Sequence, residues 1–525
     1  MGTASVREDS SPNEHGKAVQ LESKKDVNGS AKILRPHGPV HRFSNVPEKE
    51  MYPEQPLEAN YTPITEPSIG TFDEDSPWAK KTILCLDGGG VRGYSSLLIL
   101  RALMKEIQTL ERSEDPNAIS SAYSPLVNLP LENSLDSTSN DNKPNPGYLP
   151  CHYFDYIAGT STGGLIAILL GRLRMSVDKA IEEYEMLSAK VFEAPPSRLK
   201  RSWTKYNSIA RREYLREHFE SMRPMRPSYF EKSHQFKSDP FRCRTIVCSI
   251  KSTKNKDFQT PFLFRSYDHI KNAVSPNIIL ERNPSDSHAF EIWQVARATS
   301  AAPSYFGSIN LFDDRYYDAA EDINNPSLEV INEISLISGG SHDAIDVLLS
   351  IGGGNAHGNM PKTKFGGGGL LQEMTTISAV VHDRVTSESK AHFFAYHRLD
   401  VEEGLQDVGL IEWKPKSSGA RTIKRIKDAT DRYLRRADVR SQFLQCAEAL
   451  VRKRTQRAQT MRWECFAIGT RYKCPEKDCP SPNERYQNRN SLMDHLRMQH
   501  DHAPLDAEHF EEMQTLLDKG RTCSD

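Results

Sequence analysis

The chain has 525 residues, room for about two to four domains. Its apolar fraction of 37% is low for a chain folded throughout, and its net charge of −2 excludes a global pull toward nucleic acid or anionic membrane. Nine cysteines scattered over this length are not the dense framework of a small secreted scaffold. The opening MGTASVREDSSPNEHG carries no apolar signal core, and Val6 stands where a myristoylation frame wants Ser or Thr. No apolar run approaches the ~20 residues of a spanning helix. The expectation is a cytoplasmic protein in a reducing compartment, touching membranes peripherally if at all.

Residues 1–78 are polar and poor in aromatics and read as a disordered leader. Order is expected from Lys81, where Thr-Ile-Leu-Cys-Leu forms a buried strand that stops at Asp87 and three glycines. Val91 to Leu110 has the pattern of an amphipathic helix. Residues 113–148, rich in Ser, Asn, Asp and Pro, read as a low-complexity insertion. A second strand–turn–helix unit follows: Tyr153 to Ala158, then GTSTGG, then the apolar run Leu165 to Leu173. Further strands are expected at Arg244–Ser249, Phe262–Tyr267 and Asp346–Ile351, with helices at 177–192, 291–299 and 328–337. This alternation predicts an α/β sandwich with a largely parallel sheet over residues 79–400. A helical basic extension (401–471), a small unit (472–502) and a tail (503–525) complete the chain.

Gly88-Gly89-Gly90-Val91-Arg92-Gly93 joins a strand to a helix and allows three uses. It could hold a dinucleotide pyrophosphate, form an oxyanion hole from exposed N–H groups, or serve only as a tight turn. The dinucleotide use wants an acidic ribose partner after a second strand; Glu111 sits instead at the far end of the predicted helix. Gly159-Thr160-Ser161-Thr162-Gly163 is a second strand-to-helix turn of the G-x-S-x-G type, which lifts a serine hydroxyl clear of the backbone. A nucleophile on one turn and N–H donors on the other are what acyl transfer requires.

A serine nucleophile needs a proton acceptor. His342 and His357 lie downstream in Gly- and Ser-rich stretches; Asp318 lies in an acidic loop that would ordinarily be solvated. The chain resembles the patatin-like phospholipase family in DGGGVRG (87–93), GTSTGG (159–164), ARATSAAPSYF (296–306), YYDAAEDINNPS (316–327) and LLSIGGG (348–354), all in order, over roughly residues 80–400. The resemblance implies a three-layer α/β/α fold, a Ser–Asp dyad without histidine, and calcium-independent hydrolysis of phospholipid, lysophospholipid or acylglycerol esters with no catalytic cofactor. By position it implies Ser161 as nucleophile and Asp318 as base. It also implies an oxyanion hole from Gly89 and Gly90 with Gly88, and Arg92 supporting that turn or a lipid phosphate. One departure stands out: Ala319 and Ala320 replace the Gly, then Gly or Ala, usual after the base. Alanine is harmless there only if φ is not positive, which is the expectation. The alternative is a regulatory zinc-finger protein carrying a weakened lipase-like domain.

In the small unit, Cys474 and Cys479 precede His495 and His500, whose spacing with Leu492 on one helix face is that of a two-Cys two-His zinc finger. The 15 residues between Cys479 and His495 exceed the usual ~12, and the Cys–Cys gap of four is at the upper limit. The bland alternative is free thiols and solvated histidines. The positions that would read bases carry Asn488, Asn490, Ser491 and Asp494, so nucleic acid is not the expected partner; a structural or protein-docking role is. The stretch 421–457, with Lys424, Arg425, Arg435, Arg436, Arg452, Lys453 and Arg454, reads as a solvated face or as a contact for anionic headgroups. The expected partner of the whole is a lipid at a membrane or micelle surface.

Overall fold

The structure, a computed structural model, describes residues 76–125, 147–192, 202–224, 234–253, 259–268, 290–302, 306–354, 368–406, 408–415, 418–502 and 510–522. The leader to residue 75, the middle of the 113–148 insertion and His357 lie outside the described residues.

The elements run β1 (Lys81–Leu86), α1 (Gly93–Glu114), β2 (Tyr156–Thr160), α2 (Thr162–Ala167), α3 (Val177–Val191), α4 (Ser202–Ser221), β3 (Arg244–Thr253) and β4 (Gln259–Arg265). Then come α5 (Ile292–Thr299), β5 (Ile309–Leu311), β6 (Asp314–Tyr317), α6 (Ser327–Ile337), β7 (Ile345–Ile351), α7 (Gly368–Ala391) and β8 (Ala395–Leu399). The C-terminal part holds α8 (Ala420–Leu434), α9 (Ala437–Ala458), α10 (Arg462–Ile468), β9 (Arg471–Tyr472), α11 (Arg489–His500), α12 (Phe510–Gly520) and β10 (Arg521–Thr522).

Strands β8, β7, β1, β2 and β3 form a parallel sheet in that spatial order. β4 and the β5–β6 hairpin join β3 antiparallel. Successive side chains of a strand face opposite sides, and here both sides are apolar. Leu84, Leu86, Ile157, Val247 and Leu349 pack with α1, α2, α3, α5, α8 and α9. Ile83, Cys85, Ala158, Ile246 and Leu348 pack with α6 and α7. The product is the expected three-layer α/β/α sandwich with a largely parallel sheet.

Three boundaries differ from the sequence reading. Trp78, placed in the leader, is buried against Trp463 and Phe466. The 401–471 extension is not separate: Ile426, Ala429, Leu450 and Val451 belong to the main core with Leu97 and Leu100. Nor are its cations all on a solvated or lipid-facing side. Arg454 meets buried Glu111 at 2.7 Å and Lys453 meets Asp346 at 2.9 Å. Arg457 meets Asp155 at 2.7 Å, with its own side chain 1% exposed. Amphipathic cations lie inward when a buried carboxylate awaits them, because either charge alone would be left unpaired in a poor solvent. Finally, the 503–525 tail holds α12, whose Met513 and Leu517 complete a small core with Leu492 and Leu496, and β10, which pairs with β9.

Candidate active site

The sheet's register brings the site together. β2 ends where Thr160 pairs with Cys248 of β3. β6 approaches head-on along the same edge of β3, and its last residue, Tyr317, pairs with Ile250. The next residue of each chain, Ser161 and Asp318, therefore meets the other beside Ser249. Ser161 Oγ donates to Asp318 Oδ2 at 2.6 Å. Ser249 Oγ pins the junction by donating to the Tyr317 carbonyl at 2.6 Å.

Ser161 has φ 55 and ψ −123, a conformation that costs a non-glycine residue about 1–3 kcal/mol. Its N–H donates to Thr299 Oγ1 at 2.8 Å, and that hydroxyl donates to the Cys248 carbonyl at 2.8 Å. The flanking glycines are steric requirements. A Cβ on Gly159 would lie 2.1 Å from the Gly163 carbonyl oxygen, and one on Gly163 would lie 2.3 Å from that of Leu86. Behind the serine α2 opens, its N-terminus turning partial positive charge toward the hydroxyl.

Asp318 is buried, and burial lifts its carboxyl to about 7 against the lowering effect of hydrogen bonds from Ser161 and the Ala320 N–H. That N–H donates to Oδ1 at 2.9 Å. Neither Ala319 nor Ala320 has positive φ, so the departure from Gly at these positions introduces no left-handed strain. His342 precedes β7, at the end of the parallel strands opposite to that where Ser161 follows β2, and takes no part in this site.

The glycine turn is more restricted than the sequence suggests. Gly88 N–H is committed to the Asn324 carbonyl at 3.1 Å, so it is not a free donor. Gly89 N–H donates to Thr162 Oγ1 at 3.2 Å. Gly90, with φ +56, borders the cleft, and its N–H has no acceptor among the described residues. Arg92 holds the turn rather than a ligand: it is 0% exposed and donates to the Gly354 carbonyl at 2.7 Å. Burial lowers its pKa to about 10.

Beneath the turn lies a network without a signal in the sequence reading. Arg398 grips Asp87 with two nitrogens, at 2.9 and 2.7 Å, and also reaches Asp400 at 2.8 Å. Ser378 Oγ donates to Asp87 at 3.0 Å and accepts from Asn324 Nδ2 at 2.8 Å. Asn324 thus ties the loop after Asp318 to the glycine turn. The motif block containing Asn324 was visible; its partner Ser378 was not, since a lone helical serine carries no pattern.

Ser161 and Asp318 open onto a cleft. Leu165, Leu187, Val191, Leu215, Phe306 and Met374 contribute to an apolar lining. Such a cleft suits an extended hydrocarbon group.

In the C-terminal module, Cys474 Sγ lies 3.3 Å from His500 Nε2, and Cys479 Sγ 3.3 Å from His495 Nε2. All four donor atoms lie within 4.8 Å of one another. A tetrahedral zinc with these ligands has edges of about 3.3–3.8 Å, so the residues fit that ion. Arg489 is held by Gln514 and Asp518 of α12, and Asn488 accepts the Ser491 N–H at 2.9 Å. Asn488, at least, is therefore already engaged within the module. The module is anchored by Arg471 to Asp239 at 2.6 Å and by Arg521 to Glu464 at 2.6 Å.

The three-layer sandwich sets a serine on a strand-to-helix elbow with a buried carboxylate at its hydroxyl. The patatin-like phospholipase family profile matches residues 84–331, supporting that family for this region. The chain is 26% identical over 287 residues to calcium-independent phospholipase A2-gamma of Rattus norvegicus, covering 54% of this chain and 29% of that protein. It is 24% identical over 317 residues to phospholipase A I of Arabidopsis thaliana, covering 52% of this chain and 20% of that protein. To patatin-like protein 2 of Arabidopsis thaliana it is 24% identical over 368 residues, covering 65% of this chain and 75% of that protein. The match thus spans under a third of the first two relatives. No helix among the described residues is long and apolar enough to cross a membrane.

Proposed function

We propose that the protein is a lipid acyl hydrolase that cleaves carboxylic esters of phospholipids, lysophospholipids or acylglycerols through an acyl-enzyme on Ser161. The observation that carries this is the 2.6 Å hydrogen bond from Ser161 Oγ to a buried carboxylate at the mouth of an apolar cleft. Ser161 Oγ attacks the ester carbonyl carbon while its proton passes to Asp318. The Gly90 N–H, with Gly89 once released from Thr162, meets the developing oxyanion. The intermediate collapses, the C–O bond to the alcohol breaks, and Asp318 returns the proton to the departing alkoxide. Water then repeats the sequence on the acyl-serine, releasing a fatty acid and restoring the serine. A carboxyl near 7 suits this exchange because it accepts and returns a proton at little cost near neutral pH.

Substrate reaches the cleft from a membrane or micelle surface, and no metal takes part in the chemistry. Zinc belongs to the Cys474, Cys479, His495 and His500 module, where it supplies folding energy, and that module serves stability or a protein contact. The alternative of a regulatory protein with a weakened hydrolase loses its motive, because Ala319 imposes no left-handed strain. The test is fatty-acid release by the purified full chain from phosphatidylcholine, lysophosphatidylcholine and diacylglycerol micelles. Release that Ser161→Ala abolishes is expected; equal release by that variant overturns the reading.

A further inference from the structure

We infer a second metal site, formed by His342, Glu388 and His392 at the end of the parallel strands opposite to Ser161. Glu388 lies in the last turn of α7 and His392 follows that helix directly, its N–H donating to the Glu388 carbonyl at 2.9 Å, so the two side chains are neighbours at the helix end. His342 comes from the loop between α6 and β7. One donor atom from each lies within 4.8 Å of the others.

The distances suit a shared cation better than a hydrogen-bonded trio. Glu388 Oε2 is 3.8 Å from His342 Nδ1 and 3.5 Å from His392 Nε2, at or beyond hydrogen-bond reach. Ligand edges around a tetrahedral zinc with N and O donors are about 3.3 Å, so these two edges need to contract by a few tenths of an ångström, and the edge between the two histidines, within 4.8 Å, closes with them. His342 Nδ1 is shielded from solvent and has no hydrogen-bond partner among the described residues. The two imidazole rings lie side by side, centroids 4.7 Å apart with their planes 24° apart, so one ring must turn for both nitrogens to face a common ion. Behind His392, the Asp343 carboxylate lies 3.5 Å from Nδ1, on the side away from Glu388. A carboxylate on the far nitrogen of a ligating histidine fixes the ring and raises its basicity.

Two imidazoles and one carboxylate favour a divalent transition ion, zinc foremost, with a coordination position left for solvent. The ion ties the loop before β7 to α7, the helix whose Ser378 donates to Asp87 under the glycine turn. Its role is therefore mechanical, remote from the ester chemistry.

The test strips the full chain with chelator, reloads it with zinc alone and measures metal per chain after desalting, with cobalt as a spectroscopic substitute. The expected result is two zinc ions in the wild type, and one in each of His392→Ala, Glu388→Gln and Cys479→Ser. The cobalt form of Cys479→Ser should show weaker thiolate-to-metal absorption than wild type, while that of His392→Ala keeps it at wild-type strength. Should the finger fail to bind, a single ion lost in His392→Ala still supports this site. Zinc content unchanged by both His392→Ala and Glu388→Gln overturns it.

Discussion

Asp318→Asn should weaken the enzyme and strengthen the fold, and the second effect should depend on pH. The Asp318 carboxyl titrates at about 7 when folded, against about 3.9 in an unfolded chain. The folded state therefore holds this proton more tightly. Its contribution is most favourable below about pH 4, where both states are protonated, and is lost as pH rises to about 7. Three units at ~1.4 kcal/mol each make a loss of about 4 kcal/mol above pH 7. Asparagine carries no charge and escapes this loss, though it replaces the acceptor facing Ser161 with a donor. That substitution subtracts a constant of about 1–2 kcal/mol at every pH. Urea unfolding of both proteins from pH 4.5 to 8 should show the variant gaining on the wild type by about 3–4 kcal/mol as pH rises. Ester hydrolysis should fall by at least ~10²-fold throughout, and wild-type kcat/KM should climb as pH passes 7. A stability difference that is flat with pH, or that grows toward acid, refutes the buried-carboxylate reasoning.

Ala319→Gly should change turnover less than threefold and lower the melting temperature slightly, through unfolded-state freedom, since Ala319 has no positive φ to relieve; a tenfold gain in kinetics would show a misplaced base. Arg457→Met should cost about 3–5 kcal/mol by leaving Asp155 buried without its cation, read by chemical denaturation; a cost under about 1 kcal/mol would mean that α9 is a surface appendage. Chelator should unfold the module around Cys474 and His500, read by proteolysis, while hydrolysis of a soluble short-chain ester survives; activity lost in chelator and restored by calcium would contradict a metal-free dyad.

Local signals made the two turns legible. A buried strand, a glycine cluster and an apolar helix sit within about 20 residues of each other, and their partners are their neighbours. Thus β1, α1, β2 and the Ser161 elbow stand close to where the sequence suggests. Asp318 was different: its four-residue strand DRYY has no apolar alternation, and only the family motif raised it above a solvated loop. The head-on meeting of β2 and β6 along β3 is a register property that no window of sequence contains. The cations of α9 were misread for the same reason. Their partners Glu111 and Asp155 lie about 300 residues upstream, so a helix wheel cannot tell an inward arginine from a solvated one. β8, with its AYHRL pattern, was missed because Arg398 looks like an exposed residue until Asp87 is placed beside it.

The most direct test of the central claim is labelling of the full chain with a fluorophosphonate probe, followed by mass mapping of the adduct. A probe of this type reacts with a serine whose proton has a ready acceptor. One adduct on Ser161 is expected in the wild type, none in Ser161→Ala and a much slower one in Asp318→Asn. No adduct in folded wild-type protein, or equal labelling of Ser161→Ala, would contradict a Ser161–Asp318 hydrolase.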